Sequence, residues 1–395
     1  MKIERIYIGG WFQRTMLHLT EIYDFLREGT SRLGLNKKKL TDLHLALDIE
    51  TLQFNTDGFE YVTFTTKSGI SLKIFEDGLI VLNNAVSSTE TLFSEVEELA
   101  KYYETKFSPA ISYLFSLGAP VPKELANIQT VYPYFVVLRN ASKTEIQELL
   151  AKTDKQKYYE YNNANFDVLR GDKYFFINKK TKSADKIERY IEEQIFIREF
   201  KGQLHRYLNL HRIVWEKIDA VKEKAKVKGK DIMAFNSKIE GYAKTINLVD
   251  ARINQMGTYL RTREKIAKTD VDFKDFLDIM EYRYETLGDT LAYIQHIWSM
   301  TKNYVNSAKA LFSGLQDEIT QKAIGNLTVV TSMGVGASLL SLFSAGELPS
   351  INIIGVANFL ILAFIGLVVN KIMKTVAERR KYEINDTEYE KITNK

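Results

Sequence analysis

The chain has 395 residues, a formal net charge of +4 and a hydrophobic content of 45%. This length allows two or three domains, and the hydrophobic content is ordinary for globular protein. So small a net charge does not indicate nucleic acid as a direct partner. The absence of cysteine excludes a disulfide framework, a thiolate metal site and a cysteine nucleophile, and it agrees with a cytosolic location for the polar part of the chain.

Residues 1–182 alternate short β-rich runs with helical patterns, which predicts an N-terminal α/β or α+β domain with a small mixed sheet. Ser142 is suited to cap a helix. Arg170, Gly171 and Asp172 are predicted to form the turn of a β-hairpin. Strands are predicted at residues 3–8, 61–66, 71–75, 79–82, 131–138, 166–169 and 174–177, and helices at residues 12–33 and 88–117.

A helical pattern begins at Ser183 and predicts an antiparallel pair of helices over residues 183–268. The turn between the two helices is rich in lysine. We interpret this basic tip either as a solvated turn or as a contact site for lipid head groups or an anionic ligand. Its lysines are Lys222, Lys224, Lys226, Lys228 and Lys230.

One long helix is predicted next, with a stalk over residues 269–322. From Phe273 to Ile319, apolar residues recur in alternating steps of four and three, and only Thr301 interrupts them. A repeat of 3.5 residues kept over so many heptads is typical of a supercoiled helix, so the stalk must pack along its length against a partner. Acidic residues lie in its first turns, where the helix dipole favours them; they are Asp270, Asp272, Asp275 and Asp278.

Two charge-free runs, residues 323–346 and 348–370, are separated only by Glu347. Each exceeds the roughly 20 residues that a helix needs to cross a bilayer. We therefore predict transmembrane helices over residues 323–346 and 351–371, joined by an outer turn at residues 347–350 and followed by a tail at residues 372–395. Basic residues beside the second span place both termini in the cytosol and the protein in the cell (inner) membrane, with the lipid bilayer as a partner. These residues are Lys371, Lys374, Arg379, Arg380 and Lys381.

The predicted fold class is thus an α+β cytosolic domain, a long helical stalk and two C-terminal transmembrane helices, mainly α overall. This order of parts resembles the CorA family of divalent-cation channels. The end of the stalk reads LQDEITQKAIGNLTVVTSM, which looks like the family's stalk-to-membrane junction, and Glu347, Leu348 and Pro349 are similar to its acidic outer loop. The resemblance covers almost the whole chain.

The resemblance implies a homopentamer in which the first span lines a central pore and Glu347 lies at the outer mouth. The family's Gly-Met-Asn triplet is absent, because the corresponding place reads LFSAGELPS. That triplet forms the family's selectivity mouth for hydrated Mg²⁺, so its absence argues against strict Mg²⁺ selectivity.

Polar and small residues of the first span are the candidates for lining such a pore, although small residues also let membrane helices pack closely. The candidates are Asn326, Thr328, Thr331, Gly334, Ser338 and Ser341. The resemblance further implies that carboxylates sense cytosolic Mg²⁺ or another divalent cation. The four acids of the stalk are candidates for this role, and capping of the helix is the alternative.

Two functions follow from the resemblance. The first is a CorA-like homo-oligomeric channel, gated by its cytosolic domain, that passes Mg²⁺ or other cations. CorA-like proteins that lack the triplet also occur as effectors of antiviral defence beside type III CRISPR systems, so the alternative is an effector that binds a nucleotide messenger and then permeabilises the membrane. A membrane-tethered oligomeric scaffold is a third interpretation. No phosphate-binding glycine loop, nucleophile elbow or zinc spacing is present, so we do not expect an enzyme.

Overall fold

The structure is a computed structural model in which the chain forms two compact units. The first unit comprises Met1–Leu208 and Leu248–His296, and the second comprises Asn209–Asn247 and Ile297–Lys395. The described residues are 1–12, 18–56, 58–86, 88–115, 133–153, 156–162, 165–180, 184–222, 226–269, 274–345, 360–361, 364–369, 371–372, 375–376 and 379–383.

A nine-stranded mixed sheet forms the centre of the first unit. Its strands follow the order β2-β3-β4-β5-β1-β6-β9-β8-β7, and β6 and β9 pair in parallel while the other neighbours are antiparallel. The strands are β1 (Lys2–Trp11), β2 (Ile49–Asn55), β3 (Tyr61–Thr66), β4 (Ser71–Phe75), β5 (Leu79–Ala85), β6 (Tyr134–Arg139), β7 (Tyr159–Asn162), β8 (Phe166–Arg170) and β9 (Tyr174–Lys179).

Helices cover both faces of this sheet. Five short helices pack on one face, and their apolar residues join those of the strands in one buried cluster. The short helices are α1 (Leu19–Glu28), α2 (Lys37–Ala46), α3 (Leu92–Tyr102), α4 (Ser108–Leu114) and α5 (Lys143–Thr153), with a π-helical turn (Tyr103–Phe107) between α3 and α4. The long helices are α6 (Ala184–Lys222), α7 (Gly229–Thr269) and α8 (Lys274–Ala345).

Strand β1 shows why both faces are covered. Ile6 and Ile8 belong to the cluster under the short helices, whereas Trp11 contacts Phe196 and Phe200 of α6 with ring centroids 5.7 and 5.4 Å apart. Successive side chains of a strand point to opposite faces, so a strand that is apolar throughout needs helices on both sides.

Gly9 sets how closely α6 approaches the sheet. A Cβ atom at this position would clash with the carbonyl oxygen of Ile80 on β5 and lie 3.1 Å from Cδ1 of Ile195 on α6. The neighbouring strand and the helix therefore both occupy the space that a side chain would need.

A buried arginine, Arg263 of α7, connects the sheet to the long helices. Its guanidinium contacts both carboxylate oxygens of Asp77, in the turn before β5, at 2.6 and 3.0 Å, and Glu193 of α6 at 3.0 Å. The Tyr284 hydroxyl of α8 donates to Glu193. All four residues are buried, so we call them the Arg263 network. Burial alone would lower the pKa of Arg263, but Asp77 and Glu193 raise it above its ordinary value, which keeps the guanidinium charged.

The heptad seam of the stalk is buried within the single chain. Met280, Ile294, Trp298 and Phe312 are all inaccessible to solvent. Their neighbours come from α6 and α7: Gln194 donates to the Met280 sulfur at 3.2 Å and, in the second unit, the rings of Phe235 and Phe312 stack at 5.9 Å. Helices of the same chain already cover the seam, so the seam no longer requires a second copy of the chain. The homo-oligomer stays a prediction.

The fold class predicted from the sequence is wrong in two respects. The sheet is large rather than small. In addition, none of the helices in the described ranges combines the length and apolar character needed to cross a membrane, so the two C-terminal transmembrane helices are not found. Freedom from charge is a weaker condition than a continuously apolar helix of about 20 residues. The predictions of ion transport and of a magnesium channel, which depended on these spans, lose their structural basis.

Several predicted elements are confirmed. Residues 61–66 and 71–75 coincide with β3 and β4. Ser142 caps α5, because its hydroxyl accepts from the Glu145 backbone N–H at 3.3 Å. The helix predicted at residues 12–33 is too long, since α1 ends at Gly29, whose φ of 66° is left-handed.

We expect Arg263→Met to lower the free energy of unfolding by about 3–5 kcal/mol, because removing one partner of a buried ion pair leaves uncompensated carboxylates. The measurement is chemical denaturation monitored by circular dichroism. Arg261→Met, two residues earlier on α7 and exposed, is the control and should change stability by less than about 0.5 kcal/mol. Equal effects of the two substitutions would contradict the role given to the network.

We expect Gly9→Ala to destabilise the protein by about 1–3 kcal/mol, because the added methyl group overpacks the contact between β1, β5 and α6. Gly202→Ala on α6 is the matched control. A Cβ atom at Gly202 meets nothing within 4 Å, so this change should instead stabilise the helix by about 0.5–1 kcal/mol. The same denaturation experiment compares the two, and a neutral Gly9→Ala would show that the approach is less close than described.

Candidate anion-binding site

A cavity of about 540 Å³ lies in the first unit, between the long-helix face of the sheet and the helices α6 and α8. The described residues that line it include five basic side chains and no aspartate or glutamate. The basic residues are Arg170 at the end of β8, Arg198, Lys201 and His205 on α6, and Arg283 on α8. The cavity is therefore positively charged, and we call it the basic cavity.

Arg198 is held rigidly at the wall of the basic cavity. Its Nη2 atom donates to the Gly9 carbonyl at 2.6 Å, and its Nε atom donates to Glu199 at 2.9 Å. Its Nη1 atom is buried and has no hydrogen-bond partner among the described residues. Burial lowers the pKa of Arg198, and Glu199 acts in the opposite direction. A buried N–H donor without an acceptor is costly, so the hydrogen-bonding capacity of the Arg198 guanidinium is not fully used within the described part of the structure.

Arg170 experiences repulsion from the other two arginines. Its pKa is lowered first by burial and then by the positive charges of Arg283 and Arg198. The three guanidinium groups come from β8, α6 and α8, so different parts of the fold bring like charges together. Such an arrangement is unfavourable in the empty cavity, and an anion would relieve it.

Arg283 is oriented by two neighbours. Its Nη1 atom donates to the Gln194 side-chain oxygen at 2.6 Å, and its guanidinium lies 5.9 Å from the ring centre of Tyr159. Both contacts leave the charge of Arg283 unpaired by a carboxylate among the described residues. The guanidinium is thus positioned while its charge stays available.

Aromatic and hydroxyl groups line the remainder of the basic cavity. Phe135 and Phe175, on adjacent strands, contribute rings whose centroids are 4.9 Å apart. Tyr282 is 73% exposed at the other wall, and Thr286 and Thr290 add hydroxyl groups. The cavity can therefore contact an apolar, planar group as well as an anion.

Three of the predicted pore residues lie in the described part of α8. Thr328 and Thr331 are exposed on α8, and their hydroxyls donate to main-chain oxygens of Ile324 and Thr328, both at 3.0 Å. Gly334 is half-buried. The side chains of Asn326, Ser338 and Ser341 and the whole of Glu347 lie outside the described part of the structure.

The predicted cation-sensing acids cannot be placed as a site. Asp275 and Asp278 belong to the first turns of α8, but their side chains are not among those described, and Asp270 and Asp272 lie outside the described ranges. Where side chains are described, no group of three or more His, Asp or Glu residues is arranged to hold a metal ion.

The two predicted basic runs do meet, in the second unit. Strand β10 (Lys226–Lys228) pairs with β11 (Lys381–Glu383), and Lys228 lies opposite Lys381. Both of these side chains are exposed, as are those of Lys230, Lys371, Arg379 and Arg380. Lys222 is the last residue of α6 and Lys226 is the first of β10, but the side chains of both are not among those described. Lys224 and Lys374 lie outside the described ranges.

None of the residues selected from the sequence lines the basic cavity. Arg170 was noted only as part of a hairpin turn, and Arg198 and Arg283 had no local signal. Arginines scattered over an α+β sequence become a site only when the tertiary structure assembles them. No protein-family model matches this chain, and no curated protein matches it significantly in sequence. The resemblance to the CorA family therefore stays a prediction.

We expect Arg170→Met to raise the melting temperature of the ligand-free protein, because it removes a positive charge that burial and two neighbouring arginines disfavour. Differential scanning fluorimetry at low ionic strength measures the change. The rise should shrink at 1 M salt, where the Debye length falls to about 3 Å. Arg261→Met, which removes an exposed charge, is the control, and a lower melting temperature for Arg170→Met would contradict this electrostatic interpretation.

Proposed function

We propose that this chain is a receptor for a small phosphate-bearing ligand of nucleotide size, which binds in the basic cavity. The observation that carries the proposal is that Arg170, Arg198 and Arg283 line one cavity, and that Arg198 keeps a buried donor, Nη1, without an acceptor among the described residues. A guanidinium that is already fixed by Gly9 and Glu199 loses little further entropy when it binds an anion.

The charge of the cavity supports an anionic ligand. Arg170, Arg198 and Arg283 offer planar guanidinium groups, which match the oxygens of phosphate and carboxylate in bidentate geometry. Lys201 adds a further charge at the same lining. A neutral or cationic ligand would leave this repulsion in place.

The size and walls of the cavity support a ligand larger than a free anion. A volume of about 540 Å³ lies within the range of pockets that bind small molecules and cofactors, whereas a water molecule occupies only about 30 Å³. The rings of Phe135, Phe175 and Tyr282 can contact the flat apolar part of such a ligand. A nucleotide combines a planar base with phosphate, and a nucleotide messenger is the ligand in the alternative function that the CorA resemblance implies.

Ion conduction is not part of the proposal. The predicted channel depended on two membrane-spanning helices, and the described residues contain no helix suited to span a membrane. The receptor function rests on the first unit alone and requires no assumption about what the second unit does.

The test is a binding experiment with the intact chain. Adenosine, guanosine, cytidine and uridine nucleotides, together with inorganic phosphate, are titrated by isothermal calorimetry and by thermal shift. We expect at least one nucleotide to bind more tightly than phosphate and to raise the melting temperature, as any ligand of the native state does. Binding should weaken at high salt.

Variants connect the binding to the cavity. We expect Arg283→Gln and Arg198→Met to weaken nucleotide binding at least about tenfold, since a hydrogen bond to a charged group contributes about 1.5–3 kcal/mol. Arg261→Met should bind as the unsubstituted chain does. Arg283→Gln is the more informative of the two, because Arg198→Met also leaves Glu199 without its partner. Absence of binding across the panel, or equal binding by all variants, would overturn the proposal.

A further inference from the structure

The basic cavity carries more positive charge than one negative charge can balance. Four cations line it, Arg170, Arg198, Lys201 and Arg283. Among the described residues, Glu199 is the one carboxylate that pairs with any of them, through Arg198. Four positive charges and one negative charge leave a net charge of +3 at the lining. A ligand with a single negative charge would still leave most of the repulsion among these four cations uncompensated.

The guanidinium donors also come from three separate elements of the fold. Arg170 ends strand β8, Arg198 extends from α6, and Arg283 extends from α8, so the three guanidinium groups are carried by separate elements. All three residues line this one cavity, and the positive charges of Arg283 and Arg198 both lower the pKa of Arg170. A phosphate that is bound through one oxygen presents three equivalent oxygens, whereas a phosphate that bridges two groups presents two.

Resting on the receptor function proposed above, we infer that the ligand's phosphate is terminal: a phosphomonoester, or the end of a diphosphate or triphosphate chain. Its three oxygens are then shared among Arg170, Arg198 and Arg283. A phosphomonoester carries about −1.5 to −2 charges near pH 7, against −1 for a diester, so it also balances more of the cavity's charge. Diesters and cyclic nucleotides are the ligands that this arrangement disfavours.

The alternative sites in the molecule support no comparable inference. A second cavity of about 300 Å³ is lined by Lys73, Glu188 and Glu192, but Lys73 already pairs with both glutamates at 3.2 and 2.8 Å. The rings of Tyr61 and Phe75 there already face the same lysine. Its lysine is paired within the chain, whereas Arg198 of the basic cavity keeps one buried donor, Nη1, without a partner among the described residues.

The test compares matched pairs of ligands on the full chain. Each 5′-monophosphate of adenosine, guanosine, cytidine and uridine is compared with its 3′,5′-cyclic monophosphate and its nucleoside, by calorimetry at one ionic strength. The members of a set share the base, so the comparison isolates the phosphate. For the base that binds best, we expect the monophosphate to bind at least about tenfold more tightly than the cyclic form, corresponding to one charge-assisted hydrogen bond.

Arg170→Gln provides the second readout. Because it removes one of the three guanidinium groups and leaves Arg198 and Arg283 in place, we expect it to reduce the preference for the monophosphate to about threefold or less. Arg261→Gln, on the exposed side of α7, should leave the preference unchanged. A circular dichroism spectrum equal to that of the unsubstituted chain verifies that each variant is folded.

Each outcome decides between the two proposals. A cyclic nucleotide that binds as tightly as its monophosphate, with binding still lost in Arg283→Gln, overturns the terminal-phosphate inference and leaves the receptor function standing. Failure of every nucleotide to bind overturns both. A monophosphate preference that persists in Arg170→Gln also overturns the inference, because the three guanidinium groups then do not act together.

Discussion

The first unit depends on a buried guanidinium group, Arg263, whose positive charge must be paired with carboxylates. Arg263 is 3% exposed and is satisfied by Asp77 from the turn before β5 and by Glu193 from α6. Tyr284 of α8 donates to the same glutamate. Breaking any of these contacts would leave an ionised group in an apolar interior, which is far more costly than losing an exposed ion pair. The sheet and the three long helices are thereby fixed to one another at a single point.

The same helix turns also position the basic cavity. Glu193 and Gln194 are consecutive on α6, and Tyr284 and Arg283 are consecutive on α8. Glu193 accepts from Tyr284 within the Arg263 network, while Gln194 accepts from Arg283 at the wall of the cavity. Residues of the Arg263 network and residues of the cavity wall are thus neighbours along both helices, Glu193 beside Gln194 on α6 and Tyr284 beside the half-buried Arg283 on α8. The network that stabilises the unit therefore also limits the orientations available to Arg283.

The sequence predicts what is local and misses what is distant. The strands at residues 61–66 and 71–75 and the Ser142 cap follow from patterns of a few residues, and the structure confirms them. The Arg263–Asp77 pair joins residues 186 positions apart, and no pattern in the sequence indicates it. The heptad seam was correctly identified as apolar, but a periodic pattern cannot tell whether its partner is another copy or a helix of the same chain. A charge-free run likewise does not by itself establish a helix that spans a membrane.

The hydrogen bond from Arg198 to the Gly9 carbonyl joins residues 189 positions apart in the sequence. The basic cavity can therefore form only late in folding. β1 lies at the centre of the sheet, between β5 and β6, so Arg198 has no place to dock until the central strands have paired. Arg283 comes from still later in the chain. Contacts between such distant segments form slowly, because a large loop must close before any contact stabilises it. A ligand in the cavity would therefore bind only molecules in which the first unit is completely folded. It would stabilise those molecules selectively.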